Sequence, residues 1–303
     1  MYRDGEGAIV LQNDVVRVVV APDAGARAFV LEDLATGRNA FTMVGALRDD
    51  VSIAPPLSTT DRIGKYTRSF PAGFFNRAYD ATIVADSRDA VVHLRYAAPD
   101  VVPAGARIER TLRLRPHSRA FEVTSDAAFA PGPRAAEQRL VEISSLVAGD
   151  PRGAASWIVL DPRPSAFARG PHAVEAAGAI ALYDLRTTML VALVWAPGSI
   201  EQASLDERAD SAVARLQFAP GRHRSVYVVT SAPTAAAAAT ELARLQQDER
   251  AASEANATTA GEVAKWYTQS PQKRPSVSSC GFESHLPQIA GKAPRGSTET
   301  EAP

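Results

Sequence analysis

The chain has 303 residues, 46% hydrophobic and 22% charged, with a formal net charge of −1. That apolar content supports a sizeable core, and near-neutrality leaves no broad basic field for nucleic acid or an anionic membrane surface. The single cysteine, Cys280, excludes an internal disulfide and a thiolate metal cluster, and no window approaches the ~18 apolar residues of a membrane span.

Lysine is confined to Lys65, Lys265, Lys273 and Lys292. Abundant alanine and arginine with so little lysine is expected of a GC-rich, bacterial genome; an arginine preference for phosphate or carboxylate is the functional alternative. Met1-Tyr2-Arg3-Asp4 lacks the basic start and apolar core of a signal peptide. Read literally, the chain is cytoplasmic, with an upstream export segment left open.

In chain order, Ala8–Leu11, Val15–Val20 and Phe29–Leu34 are short β-branched or apolar runs. A Pro22-Asp23-Ala24-Gly25 turn separates the second from the third, and Thr36-Gly37-Arg38-Asn39 closes the unit. Val51–Gly64, with Pro55-Pro56, reads as a loop. The next stretch carries Phe70, Phe74, Phe75 and Tyr79, expected as a lid over the core or part of a ligand surface. Strands are predicted at Ala81–Ala85 and Ala90–Ala97. In Ile108–Arg115, Ile108, Leu112 and Leu114 alternate with Glu109, Thr111, Arg113 and Arg115, the pattern of a half-buried strand. Arg110 falls on the apolar parity and needs a partner if buried.

Phe121 and Val123 repeat that alternation across Ala120–Ala128. Gln138–Ala148, Ser156–Leu160, Ala179–Leu185, Thr188–Ala196, Ala212–Ala219 and Ser225–Thr230 continue the series of strands, and the run Met189–Trp195 suggests a strand covered on both sides. About a dozen strands and no helical period before Thr230 predict an all-β, large antiparallel sandwich over residues 1–231. Pro233 and the alanine-rich run after it predict a helix over about Thr234–Ala252, and Glu262–Tyr267 a short second one, with Trp266 and Tyr267 docking on the sandwich. The helical segment is taken as 232–267. The Pro/Ser/Thr-rich residues 268–303 are expected to be disordered. Gly281-Phe282-Glu283-Ser284-His285 is what the T-arm of a transfer-RNA gene would encode, so the tail is read as a frame running into such a locus.

The order of features resembles the galactose-mutarotase-like β-supersandwich shared by aldose epimerases. The residues carrying it are Asn13, Val18, Pro22, Gly25 and Thr36-Gly37-Arg38-Asn39, then the arginine-bearing strand Ile108–Arg115 and its Pro116-His117-Ser118 turn. The likeness spans roughly residues 8–230. It implies a sugar ligand, and in active members a glutamate and a histidine that move protons at O1 and the ring oxygen. The Asn-His-Thr-Tyr-Phe-Asn-Leu segment that carries that histidine is absent, as is the late Thr-Gln-x-x-Pro-Asp stretch. Asn76-Arg77 is similar to the Asn-Arg pair that contacts sugar hydroxyls. The resemblance therefore implies a carbohydrate-binding domain without mutarotase catalysis.

Candidate site residues follow from the same pass. Arg62, Asn76 and Arg77 sit near Phe74, Phe75 and Tyr79 in sequence, combining planar hydrogen-bonding groups with apolar ring faces; a loop packed by its own aromatics is the simpler reading of the same residues. His93 and Arg95 share a strand face, placed either on a concave, sugar-binding surface or on an ordinary solvated one. His172 is the candidate general base of a sugar- or uronate-processing enzyme. His117 and His223 are expected to be solvated at turns. Asp206, Glu207 and Asp210 could hold Ca²⁺ or form a charged turn. No metal or cofactor is expected, and Gly-x-Ser-x-Gly, Walker, His-Glu-x-x-His and Cys-x-x-Cys patterns are absent. A ligand-free structural or interaction domain is the remaining alternative.

Overall fold

Asn13 ties down the first hairpin. Its Oδ1 accepts from the backbone amides of Val15 and Val16 at 2.9 and 2.7 Å. Its Nδ2 donates to the carbonyls of Arg115 and Ser118 at 2.7 and 2.8 Å, more than a hundred residues away. Asn39 does the same at the other end, accepting from Leu31 and Phe41 and donating to the Phe29 carbonyl. Gly25 and Gly37 lie at φ +77 and +66, the left-handed region these turns require. The side chains that carry the family resemblance are thus the fastenings of the scaffold.

In this computed structural model the described residues are 7–42, 48–53, 78–85, 90–98, 106–128, 138–150, 156–161, 163–167, 170–174 and 178–269. They form one four-stranded, one five-stranded and one nine-stranded antiparallel sheet, followed by a helix. The four-stranded sheet is β1 (Ile9–Gln12), β2 (Val16–Ala21), β3 (Arg27–Asp33) and β4 (Arg38–Asn39) in order. The five-stranded sheet runs β13 (Gly170–Val174), β16 (Ile200–Glu207), β17 (Ala212–Phe218), β10 (Gln138–Leu146), β5 (Arg48–Ile53). In the nine-stranded sheet, β12 (Arg163–Ala166), β11 (Trp157–Asp161), β14 (Ala179–Asp184) and β15 (Met189–Trp195) come first. Then follow β18 (Arg222–Ser231), β9 (Ala120–Ala128), β8 (Ala106–Leu114), β7 (Ala90–Ala98) and β6 (Asp80–Ala85). The all-β antiparallel architecture is as the sequence predicts.

Five strands went unread: β4, β5, β12, β16, and β13, which holds His172 where a loop is expected. β5 contains Asp49-Asp50 and lies at a sheet edge, where charged residues are tolerated because one side faces no partner strand. β16 contains the Asp206-Glu207 pair that reads as a turn, yet it pairs with β17 over Ile200–Glu207. Helix α1 (Ala235–Gln269) is continuous, replacing the two separate helices expected. Pro233 precedes the cap: Thr234 Oγ1 accepts from the Ala237 amide at 3.1 Å, making Thr234 the N-cap. No helix among the described residues is long and apolar enough to cross a membrane. Compact units run Met1–Thr258 and Thr259–Pro303, and of the second only the helical residues Thr259–Gln269 are described.

The core sits between the sheets. Met189, Val191, Leu193 and Trp195 of β15 join it with Phe121 and Val123 of β9 and Leu216 and Phe218 of β17. The alternate residues of β15, Leu190, Ala192 and Val194, pack instead with Ala238 and Leu242 of α1. Strand β15 is therefore buried on both faces, as its unbroken apolar run implies. Burying a leucine such as Leu242 contributes about 1.5–3 kcal/mol, which explains why the helix adheres at this seam.

Candidate functional site

The interior of the sandwich holds a polar cluster. Arg110 of β8 is 1% exposed, and its Nη1 donates to the carbonyl of Ala26 at 3.1 Å. Ala26 itself has φ +50 and follows Gly25, so the first turn of the chain presents this acceptor to the buried guanidinium. The need for a partner, legible from parity, is met in part by backbone. Arg110 stands beside Ser125 on β9, and Ser125 beside His223 on β18, giving one polar row across the nine-stranded sheet.

Glu142, on the facing five-stranded sheet, bonds β18 further along, at Ser225 and Tyr227. It is 2% exposed, and its Oε1 accepts from Ser225 Oγ and Tyr227 Oη, both at 2.7 Å. These two bonds cross the gap between the sheets. Burial, and then the charge of Glu142, push the Tyr227 hydroxyl well above its ordinary range, so it stays protonated and donates. Phe41 meets the same ring edge-on at 5.4 Å.

His223 corrects the sequence reading. Expected to be solvated, it is buried and stacked on Phe218 with ring centroids 4.5 Å apart. Both ring nitrogens and Ser125 Oγ lack a hydrogen-bond partner among the described residues. Burial lowers the His223 pKa, opposed by the Ala219 backbone and by the charges of Asp126 and Glu201. Such a histidine takes up its proton more readily unfolded than folded. Its stability contribution is complete above the unfolded value of about 6.5 and declines as pH falls through that value toward the folded one. Urea denaturation from pH 8 to 5.5 should show stability falling, and His223→Gln should flatten that slope; an unchanged slope in the variant would assign the pH dependence elsewhere.

The remaining candidates are scattered. His93 lies on β7 between Thr82 and Thr111 and shares a 3.1 Å hydrogen bond with Thr111 Oγ1. It is exposed, while its neighbours Val92 and Leu94 enter the core, so its face is the solvated outer one. Arg95, on that same face, pairs with Glu109 at 3.8 Å. His172 lies on edge strand β13, opposite Leu205 in register. Arg62, Asn76 and Arg77 fall outside the described residues. His117 is exposed and bonded to Asp14, holding that carboxyl below its ordinary value. Asp206 is held by Arg208 at 2.9 Å, and Asp210 Oδ1 accepts from Ser211. Asp206 and Glu207 are thus the buried end of β16 and only Asp210 lies in the turn to β17; no metal-binding group of three or more ligands occurs among the described residues.

The antiparallel sheets are those of the galactose mutarotase-like fold. The chain is similar to a galactose mutarotase-like protein from Clostridium acetobutylicum, at TM-score 0.53 and 10% identity over 74% of this chain and 94% of that one. A putative aldose 1-epimerase from Klebsiella pneumoniae aligns at 0.52 and 11% identity, over 82% and 87%. Galactose 1-epimerase from Lactobacillus acidophilus aligns at 0.50 and 12%, over 76% and 97%. No protein-family model matches the sequence, and no curated protein matches it. At these identities the likeness establishes the fold, and a fold hosts many activities.

Proposed function

We propose that the protein binds a carbohydrate through Arg62, Asn76 and Arg77 and does not catalyse mutarotation. The fold supports the first half, because its structural neighbours include sugar epimerases. The enclosure of the interior cluster supports the second. Glu142, Tyr227 and His223 are the acid–base groups of that cluster, at 2%, 0% and 6% exposure, and ring opening needs such groups on two sides of an accessible pyranose. Glu142 is instead engaged in joining two sheets.

A thermal-shift panel of neutral sugars and uronates tests this. A ligand at a hundred times its Kd stabilises by about 2.7 kcal/mol, or roughly 4–5 °C for a chain of this size. Arg77→Ala should abolish the shift and His172→Ala preserve it, while His93→Ala measures whether the ligand reaches the outer sheet face. A panel with no shift overturns the carbohydrate reading. Mutarotation by polarimetry that disappears in His172→Ala would establish the enzyme alternative instead.

A further inference from the structure

Helix α1 is fixed to the outer face of the nine-stranded sheet in two different ways along its length. Its first turns are held by an apolar seam, in which Ala238 and Leu242 pack with Leu190, Ala192 and Val194 of β15. Thr234 caps this end, and just ahead of it Ala232 is bonded through its amide to Thr188 and through its carbonyl to Tyr183 Oη. Past Leu242 helix and sheet stand apart around a groove of about 430 Å³, with Val226 and Val228 on its floor.

Across that groove the tie is electrostatic. Arg224 of β18 donates through Nη1 to Glu249 Oε2 and lies 3.4 Å from Glu122 of β9. Glu122 has a second cation in Arg115, at 3.1 Å, whereas Arg224 faces two carboxylates at once. The other charges around the groove are engaged elsewhere: Arg119 with Asp33, and Arg244 with Glu241 and Asp248 of its own helix. Glu249 therefore shares one guanidinium with another carboxylate while being only 5% exposed. Its Oε1 is buried with no hydrogen-bond partner among the described residues.

An ionised carboxylate in that setting is poorly compensated. Water does not reach its free oxygen, and a second negative charge competes for its cation. Protonation removes the charge and most of both costs. Burial accordingly raises the Glu249 pKa, with Arg224 acting against the rise and Glu122 adding to it.

We propose that the Gln246–Ala255 stretch of α1 is a proton-controlled latch, docked more tightly on the sheet when Glu249 is protonated and loosened when it ionises. The device uses none of Arg62, Asn76 and Arg77, so it stands or falls separately from the function proposed above. Its direction is opposite to that of a simple ion pair, which acid would break. The carboxyl binds its proton more readily docked than released, so docking strengthens as pH falls through the docked value. The gain is complete below the released value of about 4.5, and above the docked value pH has no further effect. Loosening uncovers the apolar floor of the groove while the seam keeps the first turns in place.

Hydrogen exchange of the full chain from about pH 7.5 to about 5, corrected for intrinsic rates, reads the latch in the amides of Gln246–Ala255. Glu249→Gln is neutral throughout, and Glu249→Met is neutral with no polar group to bury. Protection in the parent should rise at least about threefold relative to both variants as pH falls. At pH 7.5 the variants should already be as protected as the parent is in acid. All three proteins keep His223, so acid weakening of the whole fold cancels in the comparison. Three outcomes overturn the proposal. The first is protection that falls with acid relative to the variants, and the second is a pH response that both variants retain. The third is a helix less protected than the parent's at every pH in both variants, the mark of an ordinary ion pair.

Discussion

Glu142→Ala is expected to destabilise the protein by about 3–5 kcal/mol, read as a lowered urea midpoint at unchanged m-value. The substitution removes the shared acceptor of Ser225 and Tyr227, both essentially fully buried, so two hydroxyls lose their 2.7 Å bonds at once. Each buried donor left unsatisfied costs about 1–3 kcal/mol, and the vacated side-chain volume adds to it. Arg110 also lies in this region, and its charge acts on Tyr227 in opposition to that of Glu142. Removing the carboxyl leaves a buried guanidinium less well compensated. Two milder variants calibrate the reading. Glu142→Gln keeps an oxygen acceptor and should cost only about 1–2 kcal/mol, and Tyr227→Phe, which deletes one donor, about 1 kcal/mol. A loss below about 1 kcal/mol for Glu142→Ala would show that water or a ligand reaches the cluster, reopening the case for catalysis there.

That cluster also marks where sequence reading stops. Arg110 was legible because β8 is half-buried: its alternation defines an inner parity, and a charge on that parity stands out. The opening hairpin was legible because its asparagines and glycines are demanded by local backbone geometry, which a short window contains. His223 sits at the start of β18 between Arg222 and Arg224, where a turn and two arginines read as solvated, whereas Glu142 lies on β10, a strand buried on both faces. Without alternation there is no way to tell which residues face which layer, and a carboxylate whose partners lie more than eighty residues away leaves no local trace. β16 was missed for a related reason. Its acidic end reads as a turn until pairing with β17 gives those residues a ladder to join. Periodicity reports one wet face; it carries no information where tertiary cover removes that face.

The second large effect is expected at Gly149, where alanine should cost roughly 2–5 kcal/mol. Gly149 has φ +75, a conformation that penalises any side chain by about 1–2 kcal/mol. A Cβ there would also collide with Asp184 Oδ2 and Thr187 Oγ1. Neither neighbour is free to retreat. Asp184 is 1% exposed and accepts from Ser156 Oγ at 2.5 Å, the Arg186 amide at 3.0 Å and Thr187 Oγ1 at 2.6 Å. Its backbone carbonyl accepts from Thr188 at 2.8 Å, so the same residue shapes the turn from β14 to β15. The Gly149 amide is itself committed to Met189 Sδ at 3.1 Å, on the other side of that turn. Overpacking against a fixed partner adds about 1–3 kcal/mol to the backbone term. A double-mutant cycle separates the two. In an Asp184→Ala background the carboxylate obstruction is gone, so Gly149→Ala should cost at least ~1 kcal/mol less than in the parent. Additive costs would mean that Asp184 can move aside after all, leaving backbone strain and Thr187 to account for the glycine.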